Sequence, residues 1–354
     1  MKIKLAILEK DKGYLARIIS VFGTKYSDKF EIYSFTDQDV ALNNLSAAKI
    51  DVLLASDSFD IDAAKLPARC GFAYLVDFAD IDKINNQRAI CKFQKADLIY
   101  KQILAVYSEN ASGVMGFASG EDKGVVVAFA SPAGGVGTST IAASCALHFA
   151  KVGKKVLYLN METYGASDLF FQGEGIFDMS DLIFALKSKK PNFHLKLESC
   201  VKKDNRGVYF FSHPKIVLDR LELKDDEVIT LLQELKSMGE YDYIILDLDF
   251  SLKSSVLDIY RQAQAMVMVN DGSPAGNLKT KRAYEALSTI EANAEAPLTA
   301  RLGVVYNRFS SVRGEMAQIE GLRLIGGVPV YTGGTTEQIL EQVSNMDMFD
   351  KLFM

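Results

Sequence analysis

Short apolar runs alternate with stretches of helical periodicity along almost the whole chain. IKLAIL (3–8) is the first run, and Leu15, Ile18, Ile19 and Phe22 then fall on one helical face. EIYSF (31–35), DVLLA (51–55), AYLVD (73–77) and AICKF (89–93) read as strands, with VALNNLSAA (40–48) and ADLIYKQILAVY (96–107) as helices. This order predicts a small doubly wound α/β domain over 1–108. Residues 109–123 lose the periodicity and gain Gly, Ser and Ala, which predicts a linker. A second alternation fills 124–354. Its strands are VVAFA (126–130), VLYL (156–159), GVYFFS (207–212), YDYIILDLDF (241–250), AMVMVN (265–270), RLGVVYNRF (301–309) and a short run at 327–330. Helical patterns cover 180–190, 225–239, 279–292 and 335–353. The expected class is α/β, with two doubly wound domains.

Composition narrows the function classes. The formal net charge of -5 over 354 residues argues against a general nucleic-acid binder. No apolar stretch approaches the roughly 18–20 residues of a membrane span, and the N-terminal run is too short for a signal peptide. Cys70, Cys91, Cys145 and Cys200 are scattered without a C-x-x-C, as in a reduced, cytoplasmic protein. His148, His194 and His213 have no ligand spacing, so no zinc site is expected.

The candidate chemistry starts where VVAFA runs into SPAGGVGTST (131–140) and a helix. Glycines at 134, 135 and 137 let backbone approach an anion, and the helix N-terminus favours negative charge. Against the general pattern G-x-x-x-x-G-K-[ST], Pro132 takes the first glycine position, Thr138 the lysine position and Ser139 the hydroxyl position. Asn160 and Glu162 follow the next strand, where an acid could face a γ-phosphate and its water. Asp247 closes a strand, the usual place of a carboxylate that holds Mg²⁺ through water. Asn307 and Arg308 lie at another strand end, with Asn307 positioned for an adenine edge, and the GVPVYTGG loop (327–334) could wall the base. These five features stand in the order a P-loop ATPase needs.

The loop resembles the deviant phosphate-binding loop of the MinD/ParA class, K-G-G-x-G-K-[ST]-[ST], with Ala133 and Thr138 in place of both lysines. The strand order of 1–108 resembles a response-regulator receiver domain (flavodoxin-like), with acids after strand one and Lys92 or Lys95 after strand five. Counting from Asp51 puts Ser56 at the phosphoacceptor place and Asp57 one residue late. A one-residue slip reverses the face, so a receiver-like interaction module is expected and not a phosphorylated one. A receiver-like domain joined to a P-loop NTPase-like domain resembles the TadZ/CpaE pilus-assembly proteins. KFQKA (92–96), YLNMETYG (158–165), YDYIILDLD (241–249) and VVYNRF (304–309) carry that resemblance. It implies a homodimer that binds ATP and Mg²⁺, sits at a cell pole and recruits Flp/Tad (type IV) pilus or secretion machinery. It implies that Gly134, Gly135, Val136, Gly137, Thr138, Ser139 and Thr140 surround the phosphates. Ser139 and Asp247 would then serve the metal, Glu162 would stand at the catalytic-region aspartate, Asn160 would replace an aspartate, and Asn307 would read adenine.

Losing one charge-assisted contact costs about 1.5–3 kcal/mol, roughly one to two decades of affinity. Losing a cation on a transferring phosphoryl group costs about 10³–10⁵ in rate. Nucleotide binding with little or no hydrolysis is therefore expected; a slow, partner-activated ATPase and a nucleotide-free scaffold are the alternatives. The apolar positions of 335–353 are expected to pack in the core, because the polar positions are Gln and acids with little lysine for anionic lipid. Lys279, Lys281 and Arg282 read as a solvated helix face.

Overall fold

The computed structural model describes residues 2–110, 124–189, 192–292, 294–295, 297–310, 312 and 314–353. The expected linker lies outside the described residues from 111 on, and residues 109–110 end the helix Ala96–Asn110. The described residues fall into two compact units.

The first unit is built on β1 (Ile3–Leu8), β2 (Phe30–Phe35), β3 (Val52–Ser56), β4 (Gly71–Val76), β5 (Lys83–Ile84) and β6 (Gln87–Cys91). The order is β2-β1-β3-β4-β6-β5, parallel except for the β5–β6 hairpin. Side chains alternate across a strand. Leu5 and Ile7 therefore join Leu15, Ile18, Phe22 and Ile103 on one face, while Ala6 and Leu8 join Ala41, Leu45 and Phe59 on the other. Covering both faces is what makes these strands unbroken apolar runs. The hairpin has no apolar signature. It is fixed by Asn85 and Asn86 at φ of 48° and 62°, which a two-residue type I′ turn requires. A stretch from later in the chain, 184–200, belongs to this unit. Its helix Phe193–Cys200 lies beside Ala96–Asn110, Leu195 enters the core with Ile103, and the Tyr100 hydroxyl donates to Glu198 at 2.7 Å.

The second unit carries β7 (Val125–Ala130), β8 (Val156–Asn160), β9 (Lys202–Lys203), β10 (Tyr209–Phe210), β11 (Tyr243–Asp247), β12 (Ala265–Asn270), β13 (Leu302–Phe309) and β14 (Arg323–Pro329). Their order is β14-β13-β12-β7-β11-β8-β10-β9, and only β9 runs antiparallel to its neighbour. The middle strand β7 is fully enclosed from Val126 to Ala130. Asp247 pairs in register with Phe129 of β7 and Asn160 of β8. Three strand ends thus emerge together at the carboxyl edge, where open α/β sheets bind ligands.

Several element boundaries differ from the sequence pattern, three of them instructively. The strand expected at 207–212 shrinks to Tyr209–Phe210, which pairs with β8 on one side and with the two-residue edge strand β9 on the other. The helix expected at 279–292 begins at Pro274, with Ser273 capping Gly276 N–H, a Pro-in-first-turn start. The expected helix 335–353 is two pieces, Thr336–Ser344 and a 3₁₀ turn Asp347–Lys351. That break brings Met348, Phe349 and Leu352 into the core that also holds Leu340, Val343, Ile141 and Cys145. His148 fixes the join: Nδ1 lies 2.9 Å from Ser344 O and Nε2 lies 3.1 Å from Asp350.

Candidate nucleotide-binding site

The loop leaves β7 under local constraint. Ser131 Oγ donates to Val269 O at 2.6 Å and accepts from Ala133 N–H at 3.1 Å. Gly135 and Gly137 take φ of 76° and 86°. The helix Thr138–Lys151 then starts from Gly137 without a side-chain cap. Its first N–H groups are left to a ligand or water, the arrangement that binds phosphate. Small buried residues (Ala142, Ala143, Cys145, Ala146) let this helix lie close on the sheet. The loop opens into a cavity of about 320 Å³ lined by Gly134, Gly135, Gly137, Thr138, Ser139 and Thr140, with Glu162, Leu248, Asp249, Phe250 and Arg308 opposite.

The acids expected from the sequence converge here. Ser139 Oγ donates to Glu162 Oε2 at 2.8 Å, and Asn160 Nδ2 reaches the same oxygen at 3.3 Å. Asp247 is completely enclosed. Its Oδ2 accepts from Tyr158 Oη at 2.7 Å and Asn160 Nδ2 at 3.0 Å, while its Oδ1 has no hydrogen-bond partner. Burial raises the Asp247 pKa to about 8; the Glu162 charge adds to this, and the hydrogen bond from Tyr158 opposes it. Asn160 also sets the next turn. Its Oδ1 accepts from Glu162 N–H at 3.0 Å and stands 2.1 Å from where a Cβ on Gly165 would be, so residue 165 has room only for glycine.

An orphaned, buried carboxylate oxygen near a serine hydroxyl fits Mg²⁺. Among the described residues, no group of His, Cys, Asp or Glu side chains forms a metal cage by itself.

Ala133 and Thr138, at the two lysine positions, both line the cavity, with Ala133 7% exposed. Val136 is buried beneath the loop. Asn307, expected at the base, braces the loop in this arrangement. It is 5% exposed, Nδ2 donates to Val136 O at 2.8 Å, and Oδ1 accepts from Arg308 N–H at 3.0 Å. The loop 327–334 is not among the cavity-lining residues. Sequence reading passed over Asp249, which accepts from Thr163 N–H at 2.8 Å and Thr163 Oγ1 at 2.7 Å. The repeated acid in LDLDF, two positions after Asp247 and just past the strand end, was the available signal.

Lys281 pairs with Glu285 along its own helix at 3.9 Å, and all four cysteines are free thiols. In the first unit Ser56, at the phosphoacceptor place, is buried, and Asp57 is exposed. Lys92 is ion-paired with buried Glu9 at 3.2 Å and with Asp77 at 2.6 Å. Among the described residues, no helix is long and apolar enough to cross a membrane.

Comparisons with known proteins bear on both units. Residues 1–108 match the family model described as "TadZ-like, receiver domain". An ATP-binding protein of Methanocaldococcus jannaschii, itself uncharacterized, is 28% identical over 211 residues, spanning 57% of this chain and 72% of the relative. A ParA family ATPase from Chlorobium tepidum superposes with a TM-score of 0.50 at 18% identity, covering 66% of this chain and 97% of that one. The septum site-determining protein MinD of Pyrococcus horikoshii, solved with Mg-ADP, gives a TM-score of 0.49 at 16% identity, over 65% and 94% of the two chains.

Proposed function

We propose that this chain, a TadZ/CpaE-like protein that joins a receiver domain to a MinD/ParA-type P-loop NTPase fold, uses Mg·ATP as a structural switch and not as a fuel. The bound nucleotide holds a homodimeric scaffold together, and the scaffold recruits Flp/Tad pilus or secretion machinery at a cell pole in the cytoplasm. One observation carries this reading. The phosphate loop, the Ser139 hydroxyl and the acids Glu162 and Asp247 gather at one site, and neither lysine position holds a cation. The loop N–H groups of 134–140 would hold the phosphates, and Ser139 and Asp247 would hold Mg²⁺, which supplies charge to the phosphate oxygens. Glu162 can orient water through its carboxylate, but no loop lysine neutralises charge on a transferring phosphoryl group.

Two features support a second copy over the cavity. Tyr164 is 79% exposed two residues after Glu162. Arg220 donates to Met161 O, which ties to the site a short helix bearing the exposed Leu218 and Leu221. The test joins sedimentation velocity to a phosphate-release assay. Dimers should appear with Mg·ATP and also with a non-hydrolysable analogue, at a turnover below about 1 per minute, well under ordinary enzyme rates. Faster turnover that is lost on Gly137→Val would make the chain an ATPase of the ordinary kind.

A further inference from the structure

Two features meet at Arg308. Of the described residues lining the phosphate-loop cavity, it is the one cation, and it shares that cavity with Glu162 and Asp249. Among the described residues its guanidinium makes no hydrogen bond or close ion pair, its backbone N–H being engaged by Asn307; its charge also helps to hold the Asp271 carboxyl below the usual range. Its Nη2 stands 3.4 Å from the point that a Cβ on Gly137 would occupy. The cation therefore hangs over the last turn of the loop, next to Thr138.

The backbone is bent to put it there. Arg308 has φ of 52°, a left-handed conformation that is unfavourable for a long side chain. The bend coincides with a register break between β13 and β14 at Tyr306–Phe309, and the Asn307 amide fixes it from both ends. Strain of this kind persists only where surrounding structure imposes it. Here the imposed result is a guanidinium with no side-chain hydrogen bond among the described residues, at the edge of the phosphate-loop cavity.

We propose that Arg308 is the phosphate-binding cation of this site, supplied from the end of β13 in place of the lysine missing at 138. A planar guanidinium takes two phosphate oxygens at once, so it can hold a polyphosphate while Thr138 stays neutral. This rests on the nucleotide reading above.

The test is calorimetric titration with Mg·ATP of the full chain and of Arg308→Ala, Arg308→Lys and Arg308→Ala/Thr138→Lys, with circular dichroism confirming the fold. Arg308→Ala should bind about 10- to 100-fold more weakly, the loss expected for one charge-assisted contact. Arg308→Lys should keep part of that affinity, and Thr138→Lys should restore it in the Arg308→Ala background. Unchanged binding by Arg308→Ala, beside measurable binding by the parent, overturns the role of Arg308 alone. Failure of the parent to bind at millimolar Mg·ATP overturns the nucleotide reading itself.

Discussion

Gly137 and Gly134 look equivalent in the sequence, and the structure separates them. At Gly137, φ is 86° and a Cβ would lie 2.3 Å from Asn307 Nδ2; at Gly134 nothing lies within 4 Å and φ is not in the left-handed region. Gly137→Ala would put a methyl group on a left-handed backbone, at about 1–2 kcal/mol. It would also push Asn307 off Val136 O, and leaving a buried amide without its partner costs about 1–3 kcal/mol more. The sum is about 2–5 kcal/mol, against roughly 0.5 kcal/mol or less for Gly134→Ala, an open-surface change. Urea denaturation followed by far-ultraviolet circular dichroism, with the transitions of the two units fitted separately, measures the difference. Gly137→Ala should lower the second unit's midpoint, while Gly134→Ala should leave it in place. Equal midpoints for the two variants would refute the claim that Asn307 clamps the loop through the space beside residue 137.

Other expectations follow from the same geometry. Asp247 has a folded pKa of about 8, raised by burial from an ordinary carboxyl value of 3.8. Below about pH 4 both states hold the proton and its contribution is fully favourable; as pH rises towards 8 the unfolded state releases the proton first, and stability falls by up to ~1.4 kcal/mol per pH unit. In the absence of metal, Asp247→Asn should therefore stabilise the chain by a margin that grows from pH 5 to pH 8, and a margin flat across that range in denaturation curves would contradict the burial. Leu340→Ala should cost about 2–5 kcal/mol as a core cavity, and the parent should not co-sediment with anionic vesicles; the opposite pair of results would make the C-terminal helix a membrane anchor. Lys92→Ala strands the enclosed Glu9 and should cost the first unit about 3 kcal/mol, whereas Asp57→Ala should leave its melting unchanged, both read by differential scanning calorimetry.

Both sheets were legible because their strands are covered on two faces, so the apolar runs mark them directly. The phosphate loop was legible because glycine spacing, a serine hydroxyl and strand-end acids are local facts. What escaped depends on partners distant in sequence. The polar hairpin at 83–88 rests on two left-handed asparagines. The helix Phe193–Cys200 finds its place beside Ala96–Asn110, and nothing in its own pattern names that neighbour. The break after Ser344 is set by His148, almost two hundred residues away. At the site, residue types foretold a carboxylate at 247 but not its missing partner. They foretold an asparagine at 307 but not that its amide would serve the loop.

The central claim is a nucleotide site without its lysines, and the most direct measurement is calorimetric titration of the full chain with Mg·ATP beside a Ser139→Ala/Asp247→Ala double variant. Micromolar binding that weakens sharply in the double variant is the predicted result. Absence of binding up to millimolar Mg·ATP, or binding that the double variant leaves unchanged, would contradict it.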